Sequence, residues 1–118
     1  MKTVITYDEF AKLDLRVGQV VKAEVLEWSE KLLKFEVDLG SDIGTRVIFS
    51  GIKKWYEPKS MVGKKYIFLV NMETKRMGSE ESQGMMIMAD IRDGNPGDIE
   101  KPILIEVPES VETGVIVR

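Results

Sequence analysis

The sequence contains no cysteine and no histidine among its 118 residues. Disulfide frameworks, thiol nucleophiles, imidazole general bases and the usual zinc ligand sets are thereby excluded. Any enzyme here would have to work with carboxylates, lysine, serine or tyrosine. Long apolar runs are missing as well. No stretch approaches the roughly 18 residues of a membrane span, and the opening MKTVITYDEF lacks the apolar centre of a secretory signal. A cytosolic protein without a membrane segment is the expectation. Phosphate-cradling glycine motifs are absent too: there is no GxxxxGK[ST] and no GxGxxG, and Glu80 stands where a Gly-x-Ser-x-Gly elbow around Ser82 needs its first glycine. Glu80 and Glu81 are neighbours in a loop, and adjacency does not set two carboxylates across a substrate. No catalytic residue, metal site or cofactor is expected.

What is present is an ordinary soluble composition, 43% hydrophobic and 31% charged, in a chain long enough for one core and too short for two. The net charge is −3, but it is unevenly placed. Residues 1–45 carry 6 basic and 9 acidic side chains, residues 46–76 carry 8 and 2, and residues 77–118 carry 3 and 9. A positive middle third between acidic flanks reads either as a localised anion-binding face or as chance placement of surface lysines.

Thr6 and Glu9 have capping-box spacing, which predicts a short helix over 7–12. LRVGQVVKAEVLEW is a valine-rich strand too long to lie flat, with Gly18 marking a bulge or bend. Leu33, Phe35, Val37 and Leu39 alternate with Lys34, Glu36 and Asp38, a period of two that marks a half-buried second strand. TRVIFSG is the third, IKKWYEPKSMVG a proline-broken connection, KKYIFLVNM the fourth and QGMMIMAD the fifth. This order predicts an all-β fold, a five-stranded OB barrel with short helices, whose ligands cross strands 2 and 3 and the loops joining 1 to 2 and 4 to 5. After a turn at DGNPGD, PILIEV and GVIVR are extra C-terminal strands beyond what the barrel needs. The domain reading is a single unit over 1–118: an N-terminal helix in 1–13, the barrel in 14–90, and C-terminal strands in 91–118. Those surplus strands and the two-faced apolar pattern of Met85, Met86, Ile87 and Met88 ask for a covering partner, so a homodimer is expected.

Cations gather around this layout. Lys31 falls in the loop between strands 1 and 2, Arg46 on strand 3, Lys53 and Lys54 beside Trp55 and Tyr56, and Lys75 and Arg76 in the loop between strands 4 and 5. Cations fix phosphates and rings stack on unpaired bases, so the mixture suits a nucleic-acid face; Trp55 and Tyr56 read equally as core packing over the barrel end. Ser82, Gln83 and Met85 supply a hydroxyl, an amide and a deformable apolar contact around Gly84, and read either as ligand contacts or as a turn leading into a buried strand.

DLRVGQVVKAE (14–24), EKLLKFEVDLG (30–40), SGI (50–52), GKKYIFLVN (63–71) and ESQGMM (81–86) together resemble the tRNA-binding OB-fold domain. That family occurs as a C-terminal appendix of methionyl-tRNA synthetases, as a stand-alone dimeric tRNA-binding protein, and in synthetase-associated cofactors. The similarity runs from about Phe10 through VPESVETGVIVR at the end. The resemblance implies shape-selective recognition of tRNA without catalysis, with or as a small subunit of a methionyl-tRNA synthetase. Its tRNA-contacting positions correspond to Lys31, Arg46, Ser50, Asn71, Lys75, Arg76, Ser82 and Met85, to which the residue pattern adds Lys53 and Gln83. It also implies a dimer interface beyond about residue 91. Leu26-Glu27 replaces the family's usual His-Pro, Glu73-Thr74 replaces a common Lys-Pro, and the acidic Gly-Ser-Glu-Glu insert beside Lys75 and Arg76 lowers the expected affinity. A peptide-binding secretion chaperone of the same dimeric barrel is the alternative; SGI and SQGM favour the tRNA branch.

Overall fold

Leu33, Phe35, Val37 and Leu39 are all fully buried, so the alternation in the second strand is the inward face of a barrel. This computed structural model describes residues 1–92, 94 and 100–118. The elements are α1 (Tyr7–Phe10), β1 (Leu15–Val25), β2 (Leu33–Asp38), β3 (Thr45–Ser50), β4 (Lys65–Leu69), β5 (Lys75–Met77), β6 (Glu80–Ser82), β7 (Met85–Met86), β8 (Met88–Ile91), β9 (Lys101–Leu104) and β10 (Ile116–Val117). A 3-10 turn, Pro58–Ser60, interrupts the connection between β3 and β4. The strand order β3-β2-β1-β4-β7 is that of a five-stranded antiparallel OB barrel. Among the described residues no helix is long and apolar enough to cross a membrane.

β1 serves both halves of the barrel. Its first half pairs with β4, from Leu15–Leu69 to Gln19–Lys65, and its second half pairs with β2, from Gln19–Asp38 to Val25–Leu33. The change of partner is accompanied by a bulge between Val20 and Lys22 rather than at Gly18. Gly18 has another reason to lack a side chain: a β-carbon there would lie 2.6–2.8 Å from Val37, Leu39 and Phe68. The three side chains fill the space above its backbone, so the glycine is a packing requirement. Around it Val20, Phe35, Val37, Ile48, Tyr66 and Phe68 are at most 1% exposed. Full burial of each such side chain stabilises the fold by about 1.5–3 kcal/mol. Burial also pushes the Tyr66 phenol up to about 12.

The expected helix is shorter, a single turn with its capping box formed: the Glu9 N–H donates to Thr6 Oγ1 at 3.1 Å and the Thr6 N–H to Glu9 Oε1 at 3.2 Å. The expected fifth strand over 83–90 is two strands. β7 pairs with β4, whereas β8 leaves the barrel and pairs with β9, with the Ile87 N–H still donating to Ile67 O at 2.9 Å at the changeover. Both C-terminal strands exist: β9 completes that hairpin, and β10 pairs with the start of β1. Arg16 ties the tail down, bonding Asp14 at 2.6 Å, Asp42 at 2.9 Å and Gly114 O at 3.2 Å. The turn expected over 93–98 lies, apart from Gly94, outside the described residues.

Candidate functional site

Directly opposed residues of an antiparallel pair share a face, and β3 pairs Ser50 with Leu33, Ile48 with Phe35 and Arg46 with Val37. Arg46, Ile48 and Ser50 therefore all lie on the barrel's inner face, with Ile48 in the core and the other two at opposite ends. The candidate residues divide between these two ends.

At the Ser50 end, the chain turns out of β3 through exposed Gly51 and re-enters the core at Ile52. The Lys53 N–H donates to Lys31 O at 3.1 Å, and Lys53 Nζ donates to Ser29 O at 3.0 Å, which fastens this turn to the loop between β1 and β2. Residues distant in sequence, Lys31 and Lys53, thus become neighbours. Together with Lys54, Glu30, Gly51 and Trp55 they line a cleft of about 450 Å³. Lys54 Nζ stands 5.5 Å from the centre of the Trp55 ring, within cation–π range. A second cleft of about 350 Å³ contains Ser50, Gly51, Trp55, Met85, Met88 and Asp90. Gly51 and Trp55 belong to both. The indole is half-buried against the core, as its core reading expects, and also walls two clefts; Tyr56 packs on the core with its hydroxyl donating to Pro102 O at 2.6 Å.

Along the edge of β3 from Arg46 to Phe49, the polar side chains are engaged in closing the barrel. β3 and β7 form no continuous ladder, and the gap is bridged by Ser82 and Gln83. The Gln83 N–H donates to Val47 O at 2.8 Å, while the Val47 N–H donates to Gln83 Oε1 at 2.9 Å. Ser82 is 5% exposed; its hydroxyl accepts the Phe49 N–H at 3.1 Å and donates to Gly84 O at 3.1 Å. Arg46 Nη1 donates to Val70 O at 2.5 Å and Gln83 O at 3.3 Å. Asn71 accepts the Asp14 N–H at 2.8 Å and donates to Lys12 O at 2.6 Å, which fixes the entry to β1. Arg46, Ser82 and Gln83 thus hold the seam, and Asn71 holds the entry to β1.

Lys75 and Arg76 are exposed on β5, in a hairpin with β6 where the sequence suggested a plain loop. The hairpin folds over the outer face of β2 and β3. Lys34 Nζ reaches Glu80 at 2.5 Å and Glu24 at 3.7 Å, and the Glu80 hydrogen bond raises the Lys34 pKa. The acid of the insert expected to offset Lys75 and Arg76 is thus partly directed elsewhere, although Glu81 does stand opposite Arg76. At the hairpin tip Gly78, with φ +63°, lies against Trp28: a β-carbon there would be 3.1 Å from the ring. Trp28 itself remains 53% exposed.

The structure therefore gathers Lys31, Ser50, Lys53 and Met85, places Arg46, Ser82 and Gln83 in the seam and Asn71 at the entry to β1, and carries Lys75 and Arg76 on a separate hairpin. Met88 and Asp90 join the first group although the sequence did not mark them as ligand contacts, because the departure of β8 from the barrel depends on β9, which is distant in sequence.

Residues 15–115 match the family model described as "Putative tRNA binding domain". Among curated proteins, a methionine–tRNA ligase of Deinococcus radiodurans is 45% identical over 92 residues, 78% of this chain but 13% of that protein. The chain thus spans about an eighth of that relative's length. A solved structure of a MetRS-related protein from Pyrococcus horikoshii superposes with a TM-score of 0.88 at 40% identity, covering 99% of this chain and 100% of that one. The CsaA chaperone protein of Picrophilus torridus superposes with a TM-score of 0.82 at 25% identity, covering 98% and 100%.

Proposed function

The chain belongs to the tRNA-binding domain family, and from that premise we propose a non-catalytic module that grips folded tRNA by its shape. It works in the cytoplasm with, or as a small subunit of, a methionyl-tRNA synthetase. The observation that carries this reading is the gathering of Lys31, Lys53 and Lys54 around Trp55 at the Ser50 end of the barrel. Cations placed on a rigid surface displace the counterions condensed on phosphates, and a rigid surface selects one arrangement of phosphates over another. Lys31, Ser50, Lys53, Lys75, Arg76 and Met85 are the proposed contacts, joined by Lys54 beside the indole, with Gln83 offering its exposed amide. Arg46, Asn71 and Ser82 contribute by holding the seam and its neighbouring loops in position.

The proposed assembly is a homodimer through the segment 91–118, in which Ile105, Val115 and Ile116 are 40–63% exposed. Light scattering on the purified chain should give twice the monomer mass of 13.4 kDa. A peptide-binding chaperone is the second reading. The similarity to the CsaA chaperone and the methionine-lined cleft favour it, since thioethers adapt to varied apolar partners. Competition separates the two. With labelled tRNA bound, an unfolded polypeptide should leave the complex intact and unlabelled tRNA should displace it; the reverse pattern would select the chaperone.

A further inference from the structure

The two clefts at the Ser50 end share a wall but differ in kind. One, of about 350 Å³, is walled by Met85, Met88 and Trp55, with Ser50 and Asp90 as its polar groups. The other is lined by Lys31, Lys53 and Lys54 together with Glu30 and the same indole. The smaller volume stands near the bottom of the range of roughly 300–1,000 Å³ for ligand pockets, which suits a single heterocycle. Thioethers and an indole are soft, polarisable walls for a flat ring. Asp90 lies on the same side of β8 as Met88, two residues away, so its carboxylate faces this cleft; its ion pair with Arg92 is long, at 3.5 Å, and exposed.

An ionised carboxylate only accepts hydrogen bonds. It is matched by a base edge that presents two donors side by side. Guanine does so through N1–H and its 2-amino group; uracil has one such donor, and adenine and cytosine set a single amino group beside an acceptor. Between the clefts lies Gly51, where an added β-carbon would meet nothing within 4 Å, so the backbone is open to close approach. Beyond it Lys54 is held beside the indole and Lys31 is exposed.

We infer that the paired clefts capture one unpaired guanine nucleotide. Its base lies between Met85, Met88 and Trp55 with its donor edge on Asp90, and its phosphate passes over Gly51 to Lys31 and Lys54. The inference rests on the RNA-binding reading of this surface and adds to it a base preference that shape recognition alone does not supply.

The test is fluorescence anisotropy of the full chain with labelled pentaribonucleotides UUGUU, UUAUU and UUUUU, and with UUIUU, in which inosine keeps N1–H but lacks the 2-amino group. The guanine oligomer should bind on the order of tenfold tighter than the adenine and uracil oligomers, with inosine between them. Asp90→Asn, an isosteric change at an exposed position, should abolish the difference, and Met85→Glu, also exposed, should weaken all four. Equal affinities, or a guanine preference that survives Asp90→Asn, would overturn the inference. Equal pentamer affinities together with tight binding of folded tRNA would overturn this inference and leave the proposed function intact. Guanine-selective binding without affinity for folded tRNA would support the cleft and remove the shape-recognition reading.

Discussion

Arg46 and Ser50 stand about 13 Å apart along β3, four steps of roughly 3.3 Å, and polar side chains serve differently along the free edge of the strand and at its exit. From Arg46 to Phe49, guanidinium, amide and hydroxyl close the gap between β3 and β7, where backbone pairing fails. At the Ser50 end, the backbone of Lys53 and its ammonium fasten two loops, while Lys31 and Lys54 remain exposed. Similar chemistry thus serves closure in one place and stands available to a ligand in the other. Hydrogen-bond accounting separates the two roles where residue type does not.

Breaking the seam should have the largest effect. Ser82→Ala orphans the buried Phe49 N–H and the Gly84 carbonyl, and should cost about 1–3 kcal/mol in denaturant unfolding. Stability within about 0.5 kcal/mol of the parent would mean that the hydroxyl does not close the barrel. Lys75→Ala with Arg76→Ala should leave the unfolding midpoint in place, because both side chains are exposed, and reduce tRNA affinity by roughly ten- to a hundredfold at 0.1 M salt if each contacts a phosphate. Unchanged filter binding would remove the hairpin from the interface. Asn71→Ala should cost about 1 kcal/mol, since its two bonds are to backbone near solvent, with tRNA affinity nearly preserved. A large loss of affinity without loss of stability would move Asn71 from a brace at the entry to β1 to the ligand surface. Smallest of all, Lys54→Ala should change stability by less than about 0.5 kcal/mol.

Local features were legible in the sequence. The capping box of Thr6 and Glu9 and the alternation of β2 need only neighbouring residues, and both formed as read. Features that depend on distant partners were not. Gly18 marks a close approach of Val37, Leu39 and Phe68, which becomes visible only once β2 and β4 flank β1. The run Met85 to Asp90 is continuous in hydrophobic character up to Met88, so nothing local announces that it changes partner after Met86. Residues 75–82 read as loop because they are polar, yet the ion pair of Glu80 with Lys34 and the packing of Gly78 on Trp28 lay the hairpin against the barrel. For the site, the loops carrying Lys31 and Lys53 were legible from the strand order, whereas the seam bonds of Arg46, Gln83 and Ser82 required coordinates.

The central claim is that the lysine-rich end of the barrel meets tRNA phosphates. Its most direct test is the slope of log affinity for folded tRNA against log salt concentration, measured for the parent and for Lys31→Ala with Lys54→Ala. The account predicts a negative slope that becomes shallower by about 1.4–1.8 in the double variant, as loss of two phosphate contacts requires. A slope identical in the two proteins would contradict it.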